Sequence, residues 1–374
     1  MRQLLIFLSF VLLVSCGQSS RHGTAAQGGD TLRMHYATLL TVVRHKDYTQ
    51  VLIGDPWKQG SVLQRYVLVP KSLGALPRGL PGGVVVRTPV ERSVVFTTAH
   101  CQLLWWLGAQ EAVKGVCDLK YIHIPELQEA VRQGRISDCG NGMAPANEKI
   151  IALKPEALLI SPFENSGGHG GLDKTGIPII ETADYMERSA LGRAEWMRFY
   201  GLLYGRERQA DSLFQVVASE YQHLRGQARR MRQGRSVLTE RMTGSVWYCA
   251  GGKSTVGQLI ADAGGRYAFA SDSHSGSVPL PFEQVLAKAG KAEVWTFKFD
   301  GDRPLTRADL LAEFHGYNGL EAFKSGEVYE CNCSKTRYFE EVSFRPDWLL
   351  RDAVQLLHPG VNLGGLRYYQ RMPQ

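Results

Sequence analysis

Residues 147–168 read Asn-Glu-Lys-Ile-Ile-Ala-Leu-Lys-Pro-Glu-Ala-Leu-Leu-Ile-Ser-Pro-Phe-Glu-Asn-Ser-Gly-Gly, and they are the clearest indication of the fold class. It begins as a short amphipathic helix, which Pro155 ends because the residue before a proline is disfavoured in the α conformation. Ala157 to Ile160 is then a continuous apolar run, as expected of a strand buried on both faces of a parallel sheet. A glycine-rich loop follows the strand, and ligands of open α/β sheets bind where strands end in this way.

A second copy of this pattern lies later in the chain. Phe282 begins a short helix, residues 292–297 form an apolar strand, and a Lys-Phe-Asp-Gly loop follows at residues 298–301. Between the two copies, residues 206–232 keep a helical pattern with no proline and a single glycine, Gly226. The sequence therefore predicts an α/β fold with two Rossmann-like lobes joined by one long rigid helix.

Length and charge narrow the class of protein. The 374 residues, of which 44% are hydrophobic and 21% charged, are enough for two domains with cores. The net charge of +7 is spread along the chain, without a Lys/Arg block of the kind that follows a phosphate backbone. Nucleic-acid binding is therefore not expected.

The first sixteen residues indicate export. Arg2 precedes an apolar run from Leu4 to Val14 that is too short to span a bilayer, as in a signal peptide. The run ends in Leu-Val-Ser-Cys at residues 13–16, which resembles a bacterial lipobox. Cys16 would then carry the lipid, residues 17–30 would form a flexible tether, and the protein would lie in the periplasm, anchored to a membrane.

The remaining domain boundaries follow from the local patterns. Residues 31–90 alternate like strands and predict a β-rich N-terminal extension to which we assign no function. Residues 91–205 form the first α/β lobe, residues 206–232 the connecting helix and residues 233–374 the second α/β lobe.

The six cysteines after Cys16 permit disulfides in an exported protein. Cys117 with Cys139 is one plausible pair, and Cys249 with Cys331 or Cys333 is another. The connectivity stays open, because spacing alone does not decide it.

Three kinds of chemistry find little support. Gly251-Gly-Lys-Ser-Thr resembles the end of a phosphate-binding loop, but the first glycine of that motif is missing. A hydrolase needs a nucleophile beside a base, and no Gly-x-Ser-x-Gly turn is present. His100, His169 and His274 all lie in predicted loops near strand ends, which fits a metal or haem iron, although we assign no metal site.

Aromatic and basic residues in the predicted loops indicate binding instead. Four aromatic residues are predicted to lie in loops near strand ends, beside flexible glycines: Tyr121, Phe163, Trp247 and Tyr248. Such rings suit a bulky ligand with apolar surface, and Arg241, Lys253 and Lys298 could neutralise an anionic one. The residues predicted to bind the ligand are Thr98, His100, Tyr121, Phe163, His169, Arg241, Trp247, Tyr248 and Lys253.

Over residues 90–358 the chain resembles the substrate-binding lipoproteins of ABC importers for metal chelates. The most specific part is the helix and strand at residues 147–160, and residues 183–197 resemble the branch of the family found in Bacteroidetes. The resemblance implies a class III periplasmic binding protein fold, whose two lobes close only slightly around the ligand. It implies no catalysis and no cofactor, because the chelate is cargo.

The resemblance also implies partners. In the family one glutamate on each lobe contacts arginines of the permease, and Glu148 and Glu283 stand at the matching positions. The partners would be an inner-membrane permease with its ATPase, and the protein would be a monomer. The cargo stays open among ferric siderophore, haem and cobalamin, with the basic residues favouring an anionic iron complex. The alternatives are an exported hydrolase-like enzyme and a surface adhesin or assembly lipoprotein, and which membrane holds the lipid also stays open.

Overall fold

The computed structural model describes residues 29–165 and 167–373, which form an N-terminal sheet and two α/β lobes. The predicted signal peptide, the predicted lipidation site Cys16 and residues 17–28 of the predicted tether lie outside the described residues. Within the described part, no helix combines the length and the apolar composition that crossing a membrane requires.

The first strands form a sheet of their own. In sheet order they are β1 (Asp30–Leu32), β2 (Leu40–Arg44), β3 (Thr49–Gly54), β4 (Val62–Pro70) and β5 (Val84–Thr88). Neighbours are antiparallel except β4 and β5, which are parallel. The inward side chains of Val42, Val51 and Tyr66 are fully buried and belong to the same core as the first lobe.

Two buried glutamates of the first lobe hold this sheet in place. Glu195 accepts hydrogen bonds from the backbone N–H groups of residues 35–37 at 2.7–3.0 Å. Glu187 accepts from the N–H groups of residues 38 and 39 at 2.9 Å. A buried carboxylate is stable only when such donors replace water. The extension is therefore fastened to the first lobe as one structural unit.

The first lobe is a parallel sheet with helices packed against it. Its strands are β6 (Ser93–Val95), β7 (Val113–Val116), β8 (Ser137–Asp138), β9 (Gly140–Asn141), β10 (Ala144–Pro145), β11 (Ala157–Ile160) and β12 (Ile179–Glu181). Its helices are α1 (Thr98–Trp106), α2 (Pro125–Arg132), α3 (Asn147–Ala152), α4 (Ala190–Glu195) and α5 (Met197–Tyr204). The sheet order is β12-β11-β6-β7-β8 with every pair parallel, and all four residues of β11 are buried.

One long helix connects the lobes. Helix α6 (Glu207–Arg230) has 24 residues and is about 36 Å long at 1.5 Å per residue. Its buried residues recur at helical spacing, from Ala210 through Phe214, Val217 and Tyr221 to Leu224. This stripe packs on α5 of the first lobe and on the helix Pro346–Leu357 of the second lobe, so α6 is fixed against both lobes.

The second lobe repeats the arrangement. Its strands are β13 (Ser236–Thr239), β14 (Met242–Thr243), β15 (Val246–Ala250), β16 (Arg266–Tyr267), β17 (Ser277–Leu280), β18 (Val294–Phe299), β19 (Val328–Asn332) and β20 (Gln370–Arg371). Its helices are α7 (Thr255–Asp262), α8 (Phe282–Ala289), α9 (Arg307–Glu313), α10 (Glu321–Ser325), α11 (Tyr338–Glu341) and α12 (Pro346–Leu357). The main sheet has the order β16-β13-β18-β19-β20, parallel apart from β20.

The prediction of two α/β lobes joined by a long helix, with a β-rich N-terminal extension, is confirmed. One local prediction is wrong: residues 247–250 are not a loop but part of β15, which pairs with β14 and β17 in a small antiparallel sheet. Alternation along β15 buries Trp247 and Cys249 and leaves Tyr248 exposed.

Candidate ligand-binding cleft

A cavity of about 530 Å³ lies between the two lobes, at the carboxyl ends of their central strands. Strands β6 and β7 of the first lobe end at it, as does β18 of the second. The first lobe lines it with Phe96, Thr97, Thr98, Asp118, Tyr121 and Arg193. The second lobe lines it with Val256, Leu259, Lys298, Tyr338, Phe339 and Leu349. The walls are thus mainly apolar and aromatic, with three charged groups.

A buried polar network supports the first-lobe wall. Asp184 is fully buried and accepts hydrogen bonds from His100 Nε2 at 2.9 Å, Tyr200 Oη at 3.1 Å and Arg193 Nε at 3.1 Å. His100 Nδ1 contacts the hydroxyl of Thr97. Burial by itself would raise the pKa of Asp184, but His100 and Arg193 outweigh it and hold that pKa below its ordinary value. Asp184 is therefore an ionised carboxylate with its donors in place.

The second-lobe wall carries a different ion pair. Lys298 at the end of β18 pairs with Glu240, which follows β13. Burial opposes the charge of Lys298, but Tyr338 and Glu240 outweigh it and raise the pKa of the lysine. Burial also raises the pKa of Tyr338 to about 12, so its hydroxyl stays protonated at neutral pH. Phe339, next to Tyr338, is about half exposed at the cavity.

A carboxylate joins the lobes beside the cavity. Glu340 of the second lobe is 1% exposed. Its Oε1 accepts from the Thr98 hydroxyl at 3.0 Å and from the backbone N–H of His123 at 2.8 Å, both in the first lobe. Its Oε2 is buried and has no partner among the described residues. This bridge holds the two lobes together at the start of α1.

Two of the predicted ligand-binding residues line the cavity, and a third supports it. Thr98 begins α1 in its wall, and Tyr121 lies on the rim with 54% of its surface exposed. His100 is 3% exposed and does not line the cavity, because its ring is turned into the network with Asp184. His100 therefore supports the cavity wall and is not part of its surface.

Phe163 and His169 lie together, but in another place. They line a second cavity of about 550 Å³ with Met143, Ile160 and Leu172, inside the first lobe after the end of β11. His169 Nε2 bonds Glu181 at 2.9 Å, and this hydrogen bond raises the pKa of the histidine. The expectation that both face the main cleft is corrected: neither lines it, and the second cavity adjoins it at Phe96, which lines both.

The four predicted residues of the second lobe lie outside the cavity wall. Arg241 pairs with Glu313 and covers the ring of Phe297 at 5.9 Å. Trp247 is fully buried in the lobe's core. Tyr248, on the opposite face of β15, and Lys253, in the turn before α7, are exposed. The expectation that these residues face the ligand is corrected: Trp247 and Tyr248 lie in β15 where a loop was expected, Arg241 is turned to Glu313, and Lys253 is exposed outside the cavity.

The two glutamates predicted to contact a permease occupy equivalent places. Glu148 lies in the first turn of α3 and Glu283 in the first turn of α8, and both are exposed. Each lobe therefore presents one carboxylate to solvent on a short helix.

The histidines and cysteines do not gather into a metal site. Within residues 29–165 and 167–373, no group of three or more His, Cys, Asp or Glu side chains could hold a metal ion. His274, unlike His100 and His169, is exposed beside Asp272. The predicted disulfides are corrected as well: Cys101, Cys117, Cys139, Cys249, Cys331 and Cys333 are all buried free thiols.

Sequence reasoning missed Arg193, Tyr338 and Phe339 as residues of the cleft. Tyr338 and Phe339 follow the carboxyl end of β19, which is where the sheet rule places ligand contacts. Arg193 lies on α4, and nothing in the helical pattern indicates that this helix borders the cleft.

Comparison with known proteins agrees with this architecture. A family model described as periplasmic binding protein matches residues 95–333. An uncharacterized lipoprotein of Methanocaldococcus jannaschii is 24% identical over 360 residues, covering 91% of this chain and 86% of that protein.

Two solved structures share the fold at low sequence identity. A periplasmic heme binding protein from Pseudomonas aeruginosa has a TM-score of 0.61 at 15% identity, covering 76% of this chain and 99% of that one. A protein of an ABC-type Fe3+-hydroxamate transport system from Saccharomonospora viridis has a TM-score of 0.55 at 18% identity, covering 71% and 94%.

Proposed function

Because the chain belongs to the periplasmic binding protein family, we propose that it captures a metal chelate between its lobes and delivers it to an inner-membrane ABC importer. The observation that carries the proposal is the cavity of about 530 Å³, walled by both lobes and lined largely by apolar and aromatic side chains. Pockets of this size and lining suit a compact organic ligand. The family binds solutes, so the protein has no catalytic role.

The cargo is an iron complex, either haem or a ferric siderophore. The comparison proteins that bind heme or serve Fe3+-hydroxamate transport support this choice. Of the three basic residues that first favoured an anionic complex, Lys298 lines the cavity whereas Arg241 and Lys253 lie elsewhere, and Arg193 adds a second cation to the wall.

Rigid lobes and two exposed glutamates support delivery to a permease. The connecting helix packs on both lobes, and Glu340 bridges them, so ligand binding closes the cleft only slightly. Glu148 and Glu283 then keep a fixed spacing, which lets arginines of a permease recognise both at once. A lipid on Cys16 would hold the protein near the membrane.

The second candidate function is that of a hydrolase, because Thr97, His100 and Asp184 form a hydroxyl–imidazole–carboxylate series beside the cleft. The imidazole is nearly inaccessible, and its Nε2 contacts both Asp184 and the hydroxyl of Tyr200. Asp184 is bound in addition by Arg193. We therefore assign the series to support of the cleft wall.

Titration of the protein without residues 1–16 tests the proposal. Haemin, ferric siderophores and cyanocobalamin would be added in turn, while tryptophan fluorescence and the melting temperature are followed. Binding of one iron complex, with a melting temperature that rises with ligand concentration, is the expected result. Failure of every chelate to bind would contradict the function, and tight binding of cyanocobalamin alone would contradict the choice of an iron cargo.

A further inference from the structure

We propose that Arg193 binds a carboxylate of the ligand, and that the cleft takes an amphiphilic chelate with an apolar body and a carboxylate at one edge. This inference rests on the proposed function, because it assigns the ligand's chemistry in the same cleft. It concerns an arginine whose position at the cleft was not predicted from the sequence.

The guanidinium of Arg193 is hydrogen-bonded on one side only, and its other side faces the cavity. Its Nε donates to Asp184, while neither terminal nitrogen has a hydrogen-bond partner among the described residues. The side chain is 29% exposed and lines the cavity. The two terminal nitrogens of a guanidinium match the two oxygens of a carboxylate in one plane, which a single ammonium group does not.

The groups behind Arg193 fix that plane. Asp184 is fully buried, and its remaining donors, His100 and Tyr200, are buried as well. Phe344 of the second lobe packs edge-on against both rings, at 5.6 Å and 6.0 Å between ring centroids. A guanidinium whose orientation is already set loses little side-chain entropy when it binds an anion.

The other charges of the cavity restrict the ligand further. Lys298 is already paired with Glu240, and Asp118 places a carboxylate in the first-lobe wall. A ligand charged on every side would meet Asp118 and the apolar wall around Leu349. A ligand with one charged edge satisfies Arg193 and leaves its apolar body against Tyr338 and Phe339.

Two sources supply such a carboxylate: the propionate edge of an iron porphyrin and the free carboxylate of a hydroxycarboxylate siderophore. The measurement compares haemin with its dimethyl ester, and a ferric citrate-type siderophore that carries an acyl chain and a free carboxylate with the methyl ester of the same siderophore. Wild type is expected to bind the acid form of a pair about 10- to 100-fold more tightly than the form without a carboxylate.

Variants of Arg193 test whether this residue causes the preference for the carboxylate form. Arg193→Gln should lower the affinity for the acid form to that for the ester and leave the affinity for the ester unchanged. Arg193→Lys should keep part of the preference for the acid form. Arg208→Gln is the matched control, since Arg208 is exposed on α6 and its loss should change neither ligand. Melting temperatures of all variants without ligand confirm that they are folded.

Tyr200→Phe tests whether the buried network positions the guanidinium. The change removes the hydroxyl that bonds Asp184 and keeps the ring. A positioning role predicts a smaller ratio of acid to ester affinity with the ester's own affinity unchanged. A purely structural role would weaken both ligands together.

The remaining outcomes distinguish failure of the inference from failure of the proposed function. Equal binding of acid and ester, or equal weakening of both in Arg193→Gln, leaves the receptor function standing and overturns the inference. Binding of the esters alone has the same meaning. Tighter binding of the acylated siderophore than of its ester, with no porphyrin bound, supports the inference with a siderophore as the source. If none of the four probes binds, both the inference and the proposed iron cargo are wrong.

Discussion

The two lobes each bring an ion pair to the cleft, but they build it differently. In the first lobe the carboxylate of Asp184 is fully buried and has three donors, and its cation is bound only through Nε. In the second, Glu240 and Lys298 are 29% and 23% exposed in their side chains, and the lysine directs its single charged group to the glutamate. The first pair thus leaves the planar end of a guanidinium for a carboxylate, while the second leaves only a point charge that Glu240 already neutralises.

Replacing the carboxylate of each pair by the matching amide should lower the stability of the protein by different amounts. Asp184→Asn removes the buried charge on which Arg193, His100 and Tyr200 converge, so we expect a loss of about 3 kcal/mol in the free energy of unfolding. Glu240→Gln alters a partly solvated pair and should cost about 1 kcal/mol or less. Urea denaturation of both variants gives the comparison, and equal losses would show that the pairs do not differ in this way.

The pH dependence of stability should carry the same asymmetry. The pKa of Asp184 is lower in the folded protein than in the unfolded chain, where an aspartate titrates near pH ~3.9. Its contribution is therefore complete above that pH and is lost as the pH falls through the folded pKa.

Unfolding free energies of wild type and Asp184→Asn, measured from pH 7 to pH 2, should differ most at neutral pH and converge in acid. A difference that stays constant over the whole range would mean that the charge of Asp184 is not what stabilises the fold.

These two walls also show how far sequence reasoning reached. The apolar run Ala157–Ile160 and the long connecting helix were predictable, because burial on both faces and helical spacing leave a direct mark on the sequence. Trp247 was misplaced, because its strand is followed by two glycines and a lysine that are typical of a loop. Arg193 was missed for a different reason: its role depends on Asp184 and Tyr200, which only tertiary packing brings to it.

The aromatic residues at the cavity test whether both lobes share the ligand's apolar surface. Tyr121 of the first lobe and Phe339 of the second are each about half exposed there. Replacing either by Ala should weaken binding of the cargo about 10-fold, because a stacked ring is lost, with little change in melting temperature. Tyr248→Ala is the control, an exposed aromatic outside the cavity. Loss of affinity in only one of the two variants would show that one lobe binds the ligand body alone.

The smallest effect on the isolated protein is expected at the two surface glutamates, where the lobes are most alike. Glu148 and Glu283 each stand exposed in the first turn of a short helix. Glu148→Lys and Glu283→Lys should leave cargo affinity and melting temperature unchanged, since neither residue lines the cavity. Each should weaken association with the reconstituted importer, and the double variant should weaken it more than either, because two contacts fix the orientation.

Glu126→Lys is the matched control for these reversals, since Glu126 is another exposed glutamate in the first turn of a helix. If Glu126→Lys weakens association as much as the other two, general charge attracts the importer and the pair has no special role. If only one of Glu148 and Glu283 matters, a single lobe makes the contact, and the fixed spacing of the two glutamates plays no part in recognition.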